Sequence, residues 1–468
     1  MTKARMHNRF IPVFASLRFL VPAILLGGEP PTEPILRIET GMHTARIRRI
    51  AVDLANRYLV TASDDKTLRL WDLSSGKLLE VIRPPIGQQQ EGLLYAVAMS
   101  PDGGKIAAGG WTGYQWDGSD SIYLFDRETG RLLHRIGGLP TVIDHLAFST
   151  DGSFLAATFA GADGVRLFDA QTFAQIGEDH AYEGDSYGAT FSRDGRLATT
   201  DLAGFVRLYA LDGANGNRLR LLAKKKLDGG TKMEGIAFSP DGEKLAVGFE
   251  ETAKVSVLSA ADLSLLHEPD VSGANGGFLA VAWAADGRTL FAAGHYRLRN
   301  IWQIRAWSLS GAGAYADLPA AELMISDLAP LADNGVLFAS AEPEFGRFSR
   351  QGKRTLLTGP SIADYNGADT TFLLSPDASV VQFGYRPFGA SPARFSVGVR
   401  RLDLDPVEDK QLKQSRTEVA GLKVVDWSGT YVPKLNTTPL SLQKYEKSSS
   451  AAITQDGDRL LLGTLWNL

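Results

Sequence analysis

Apolar residues occur in short alternating runs along most of the chain. Ile50 to Val52 and Tyr58 to Ala62 flank a polar corner at Asn56 and Arg57. A Ser63-Asp64-Asp65-Lys66 turn follows, then Thr67 to Leu70, Trp71-Asp72, and a fourth run from Leu78 to Ile82. Alternation of period two, broken by turn residues, predicts an antiparallel meander of four short strands. The pattern recurs. A turn after the first run reads SPDG at Ser100, STDG at Ser149, SRDG at Ser192, SPDG at Ser239 and AADG at Ala284, with weaker forms at Leu331, Ser375 and Thr454. Asp-Gly suits a tight hairpin, because Gly accepts positive φ and Asp bonds the backbone beyond it. The turn aspartates stand at 102, 151, 194, 241, 286, 333 and 377, spaced by 43 to 49 residues. Large Met99, Phe148, Phe191, Phe238 and Trp283 precede the turns. Small Ala98, Ala147, Thr190, Ala237 and Ala282 stand just before them, so large and small side chains point opposite ways.

The stretch from His43 to Asp72 closely resembles a WD40 repeat, one four-stranded blade of a β-propeller. The resemblance implies an all-β fold: a seven-bladed WD40-like β-propeller of four-stranded antiparallel blades over residues 34–360, followed by a partial second propeller in 361–468. It also implies that His43, Ser63, Asp65 and Trp71 form a hydrogen-bonded chain with a packing role rather than a catalytic one. Most of the later units lack the His and Trp of that chain, so hydrophobic packing is expected to supply most of their cohesion. Ile35 to Thr40 is expected to pair as the outer strand of the last blade and close the ring. The rival is an eight-bladed ring that includes Asp369 to Leu404. Gly421 to Lys447 shows no repeat signature. A further unit begins at Ala451, and the chain stops at Leu468 before its third strand is complete. The whole resembles bacterial multi-repeat WD40 proteins, some of which carry a caspase-like protease beyond the propellers. A protein cut short inside its second propeller is the expectation.

Composition narrows the classes. Of 468 residues, 44% are hydrophobic, enough for a globular fold. A net charge of −4 gives no electrostatic case for nucleic acid, and Lys224-Lys225-Lys226 reads as a solvated loop. The absence of cysteine excludes disulfides, thiolate metal sites and cysteine nucleophiles. Lys3, Arg5 and Arg9 precede apolar runs at Phe10 to Leu17 and Phe19 to Leu26, and Glu29-Pro30-Pro31 ends them. Residues 1–33 therefore read as a targeting segment, and export to a periplasmic or extracellular site is expected, with the cytoplasm as the alternative. No membrane contact is expected beyond that segment.

Chemistry concentrates in loops. Insertions join second to third strands in unit two, with Trp111, Tyr114 and Trp116, and in unit six, with Tyr296, Arg297, Arg299 and Trp302; unit eight adds Tyr385 and Phe388. These aromatics and arginines either anchor a protein partner or fold over the ring and plug its axis. The acidic loop Glu178, Asp179, His180, Glu183 and Asp185 lacks a cation-loop spacing, and no Gly-rich phosphate loop opens a helix. No metal or cofactor is expected. The expected function is a non-catalytic scaffold that presents a propeller loop face to a protein partner. The alternatives are an enzyme with an axial site, hydrolase or quinoprotein-like, and a regulatory sensor module of a larger protein. The enzyme needs polar groups converging on the axis, and no recurring His, Asp or Arg at ring-facing positions is evident in the sequence.

Overall fold

The structure is a computed structural model; it describes residues 41–358 apart from residue 231, and separate strands and turns between residues 373 and 464. Residues 1–33, expected to be a targeting segment, and Ile35 to Thr40 lie outside the described residues.

Seven four-stranded antiparallel sheets follow one another along the chain. The first comprises Ile47–Val52, Tyr58–Ser63, Leu68–Asp72 and Leu78–Ile82. The inner strands of the next six are Leu94–Met99, Ile143–Phe148, Ser186–Phe191, Met233–Phe238, Ala280–Trp283 and Ile325–Pro330. Each inner strand packs on the next, and the seventh packs on the first, so the ring is closed. Closure is made by side chains as well as by packing. Asp327 of blade seven accepts the Ile50 N–H at 3.0 Å, Asn56 accepts the Ala332 N–H at 2.6 Å, and Phe345 meets Trp71 edge-on at 4.9 Å. The outer place of blade seven is filled by its own Arg354–Thr358, paired with Phe345–Phe348. All four strands of that blade are thus consecutive. The displaced strand expected from the sequence is not needed there, because the apolar contact between blades one and seven already joins the ends.

The recurring turn explains the local fold. In the SPDG turn at Ser100, the serine hydroxyl donates to Asp102 at 2.5 Å and accepts the Lys105 N–H at 2.8 Å. Gly103 sits at φ +70, where a Cβ would press within 3.1 Å of Asp53 of the preceding blade. Ser149 repeats the bond to Asp151 at 2.5 Å, and Ser192 and Ser239 donate likewise to Asp194 and Asp241. Each turn fixes the register of its hairpin, and the alternation then buries one large residue per blade against the neighbouring sheet.

In blade one the aromatic of the third strand anchors a polar chain. Trp71 donates its indole N–H to the Thr61 hydroxyl at 3.0 Å; His43 joins Thr61 at 2.6 Å and Asp65 at 2.8 Å. The hydroxyl in the chain is Thr61, which corrects the expectation of Ser63. Ser63 instead donates to the Ala45 carbonyl and receives the Asp65 N–H, because it lies at the strand end where the turn begins. Burial alone would raise the Asp65 carboxyl, but His43 and Thr67 hold it at about 2.

Blades four and six replace this chain rather than lose it. Arg207 is fully buried; it bonds Asp201 at 2.5 Å and lies 3.8 Å over the Tyr182 ring. Tyr182 and Tyr209 share a hydroxyl contact of 3.0 Å, and Tyr209 donates to Asp179. In blade six Arg305 grips Asp317 with two bonds, at 2.7 and 2.9 Å, and Tyr296 donates to the same carboxylate at 2.8 Å. Hydrophobic packing is therefore not the sole cohesion of the later blades. A buried guanidinium needs such partners, since removing one costs about 3–5 kcal/mol.

Beyond the ring, Leu373–Leu374, Val380–Tyr385, Ser391–Ser396 and Arg401–Asp403 form a sheet that gains a fifth strand at Lys413–Gln414. Residues 418–439 hold a small four-stranded sheet, and Ser448–Ile453 pairs with Leu460–Thr464. Val424 packs with Ala451 and Ile453. The stretch read as irregular from Gly421 is thus sheet in part. Its strands are too short to show a repeat signature.

Candidate binding site at the axial mouth

Two cavities open along the ring axis, one at each mouth. The first is reached from the loops that join outer to inner and second to third strands. It has a volume of about 220 Å³ and is lined by Arg46, Arg48, Arg49, Tyr95, Trp111, Asp144, Asp185, Tyr187, Glu234 and Ser326, with Val142, Ala160 and Leu279. One position of the repeat supplies most of this wall. Seven residues before the turn aspartates 102, 151, 194, 241, 286 and 333 stand Tyr95, Asp144, Tyr187, Glu234, Leu279 and Ser326. All six line the cavity, and Arg48 holds the equivalent place, second in the inner strand, in blade one. None of His, Asp or Arg recurs as a type in this column, yet charged and aromatic groups do converge there. The position recurs while its residue type changes, so a search by type passes over it.

Charge is distributed unevenly around the mouth. Arg48 bonds Asp64 at 2.8 Å and stacks 4.5 Å over Tyr95. Arg49 is buried, lies 3.6 Å from Asp327 and reaches 5.3 Å from the Tyr187 ring. The Arg46 Nε and the Ser326 hydroxyl are buried without a hydrogen-bond partner among the described residues. Burial, with Arg48 beside it, lowers the Arg46 guanidinium from its ordinary value. Opposite, burial and the neighbouring Asp185 push Asp144 up to about 8. Burial also raises Glu234, against the pull of Arg49. His145 is held neutral by burial and by Arg49; its Nδ1 accepts the Ala189 N–H at 2.9 Å.

The opposite mouth, among the hairpin turns, is a cavity of about 510 Å³ with mainly apolar walls, including Val52, Phe191, Phe238, Trp283 and Leu331. Arg49 and Glu234 line both cavities and form the partition between them.

The sequence-derived interface residues divide. Trp111 lines the charged mouth. Tyr114 is exposed at the start of a four-residue helix whose Gly113 and Gln115 N–H groups bond Glu91. Trp116 of the same helix is buried between blades one and two. It is packing, not an exposed anchor, because the glutamate turns the helix inward. Unit six extends as a ribbon, Leu290–Leu298 against Ile301–Trp307, turning at Arg299 and Asn300. Tyr296 points into the blade and is 1% exposed, so it too is structural. Arg297 is exposed and stacks 5.2 Å over half-buried Trp302; Arg299 is exposed. Tyr385 ends a strand, and Phe388 lies outside the described residues.

Among the described residues no group of three His, Asp or Glu is placed to hold a metal. In the acidic loop the side chains are engaged by separate partners within the protein: Asp179 with Tyr209, Glu183 with Arg207 and Lys224, His180 with Glu178. No helix of the described residues is long and apolar enough to cross a membrane.

Comparison with known proteins agrees with the fold. Residues 37–72 match the family model "WD domain, G-beta repeat", so the first blade carries a WD40 repeat. The chain is 26% identical over 217 residues to Pre-mRNA-processing factor 19 of Oryza sativa subsp. japonica, covering 44% of this chain and 37% of that protein. It is 25% identical over 181 residues to Autophagy-related protein 16 of Arabidopsis thaliana, covering 37% of this chain and 32% of that protein. It is 26% identical over 169 residues to Cross-pathway control WD-repeat protein 2 of Flammulina velutipes, covering 34% and 47%. The similarity thus spans about a third to a half of each of these relatives.

Proposed function

We propose that this chain is a non-catalytic scaffold that binds a protein partner through the loop-side face and its axial mouth. The observation that carries this is the cavity wall: one residue per blade, chiefly polar or aromatic, brought to a single opening with two buried polar atoms left unpartnered. Buried polar atoms without partners cost free energy unless a ligand or water satisfies them. Exposed Tyr114 and Arg297 belong to the loop insertions of the same face, where aromatic and arginine contacts act as binding anchors. The similarity to a WD-repeat protein supports the same reading.

The enzyme alternative gains the convergent groups it requires, but not their contacts. A nucleophile needs a base within hydrogen-bond reach. The Ser326 hydroxyl has no partner, and the His145 Nδ1 is occupied by a backbone N–H.

Photo-crosslinking in cells tests the scaffold. A crosslinking residue at Thr141 or Tyr114 is expected to yield discrete protein adducts, and one at Leu54 or Arg193 on the hairpin-turn face is expected to yield none. Equal adducts from both faces, or none from the loop side, would contradict it. Residues 1–33 as an export signal are part of the same proposal, and fractionation of a tagged chain should place it outside the cytoplasm; a cytoplasmic pool alone would contradict that part.

A further inference from the structure

We propose that the loop-side mouth recognises a partner segment in which a lysine or arginine stands next to an aspartate or glutamate. The basic side chain goes to Asp144, Asp185 and Glu234, and the acidic one goes to Arg46. This inference rests on the protein-binding reading above and names its chemistry.

Three observations carry it. The first is the placement of charge. Arg46, Arg48 and Arg49 all belong to blade one, whereas Asp144, Asp185 and Glu234 come from blades three, four and five. In a closed ring of seven, blade one faces blades four and five across the axis. The opening therefore has a basic side and an acidic side.

The second is what internal pairing leaves over. Arg48 is matched by Asp64, and Arg49 by Asp327. Arg46 has no ion pair among the described residues, and its buried Nε has no acceptor. None of the three carboxylates lies within ion-pair distance of a cation among the described residues; Asp185 accepts only backbone N–H, from Gly161 at 2.9 Å. Each side of the mouth thus keeps ionisable groups without an ion partner among the described residues: Arg46 on the basic side, and on the acidic side Asp185 with two buried carboxyls that ionise when a cation enters. A ligand of one sign would satisfy one side and leave the other unmatched.

The third is size. The cavity of about 220 Å³ falls below the roughly 300–1,000 Å³ of clefts that enclose small-molecule ligands. It suits one long side chain with the group beside it. Tyr95 and Tyr187 already carry Arg48 and Arg49 against their rings, and Trp111 gives the entering side chain an aromatic wall. The groups around Asp144 are Asp185, Glu234, Arg48 and Arg49, and burial with Asp185 raises its carboxyl to about 8. An entering cation favours the ionised form, so binding releases a proton and strengthens as pH rises toward 8.

The test is selection of a displayed random-peptide library on the full chain. Enriched peptides are expected to carry an adjacent basic and acidic residue, and to lose binding on Ala160→Trp or Ser326→Phe, two independent obstructions of the mouth. By fluorescence anisotropy, Gln for the basic residue should weaken binding about tenfold or more, and Gln for the acidic residue a few fold. In the protein, Asp144→Asn with Glu234→Gln should reproduce the first loss and not add to it; Arg46→Gln should reproduce the second. The carboxamide variants remove buried ionisable groups and should keep the fold, which a melting curve verifies. Enriched peptides that are blocked by both obstructions but lack such a charge pair would overturn the inference and leave the protein-binding reading intact. Failure of enrichment, or peptides indifferent to both obstructions, would overturn the two together.

Discussion

The two mouths of the axial channel are made by the same seven strands, yet they differ in chemistry. At the loop side the wall is Arg48, Tyr95, Asp144, Tyr187, Glu234 and Ser326 with a single leucine, in about 220 Å³. At the turn side it is mainly aliphatic and aromatic, in about 510 Å³. The difference follows from position along the inner strand. The end near the turn must bury one large residue per blade against its neighbour, so the fold constrains it. At the beginning of the strand the first residue does the packing, Ile47, Leu94, Ile143, Met233 and Ile325 all being buried, while the second faces the axis and is free of that duty, so polar groups at the second place cost stability that packing does not require. The proposed binding role at the loop side rests on this costly polar column, which has no counterpart at the turn side.

The partition is where the comparison breaks most easily. Arg49→Met leaves Asp327 buried and unmatched beside the seam of blades seven and one. It should destabilise the ring by about 3–5 kcal/mol in denaturant unfolding. A loss within about 1 kcal/mol would show that the Arg49–Asp327 pair does not hold the seam behind the partition.

The pH dependence is next in size. A carboxyl raised in the folded state binds a proton that the unfolded chain releases. Its contribution is full below the unfolded carboxylate range and is lost as pH rises through the folded value. For Asp144 that window runs from about 4 to about 8. Asp144→Asn should therefore gain about 1–3 kcal/mol over the parent at pH 9 and flatten the fall in melting temperature from pH 6 to 9. Asp120 and Glu344, each raised to about 7 by burial, act in the same direction and remain in the variant, so the slope should shrink rather than vanish.

Trp111 and Trp283 form a matched pair, one at each mouth. Trp111→Ala should weaken partner or peptide binding by about 1–3 kcal/mol while the melting temperature holds. Trp283→Phe removes the 3.1 Å bond to the Ala237 carbonyl and should cost about 1 kcal/mol of stability with binding unchanged. The reverse pattern would move the site to the turn side.

The fold was legible because its signal is a residue type at a fixed place: the Ser and Asp of the turn recur, and their mutual bond is why they recur. The site was much less so. Its wall recurs by position alone, seven residues before each turn aspartate, in residues as unlike as Tyr95, Glu234 and Ser326. Aligning the units on their turns and reading that column would have found it. The insertions were visible as aromatic and basic, but sequence does not show which way a ring turns. Glu91 draws Trp116 inward, and Asp317 does the same to Tyr296. The buried arginines Arg207 and Arg305 were missed as replacements for the His–Trp chain because their carboxylates, Asp201 and Asp317, lie on neighbouring strands rather than at the spacing seen in blade one.

Hydrogen–deuterium exchange of the full chain, with and without a peptide selected on it, tests the central claim most directly. Protection is expected to be confined to Arg46–Arg49, Thr141–Asp144, Asp185–Tyr187 and the Trp111 insertion, with exchange unchanged in the turns at Asp102, Asp194 and Asp241. Protection centred on those turns instead, with the loop-side segments unchanged, would contradict it.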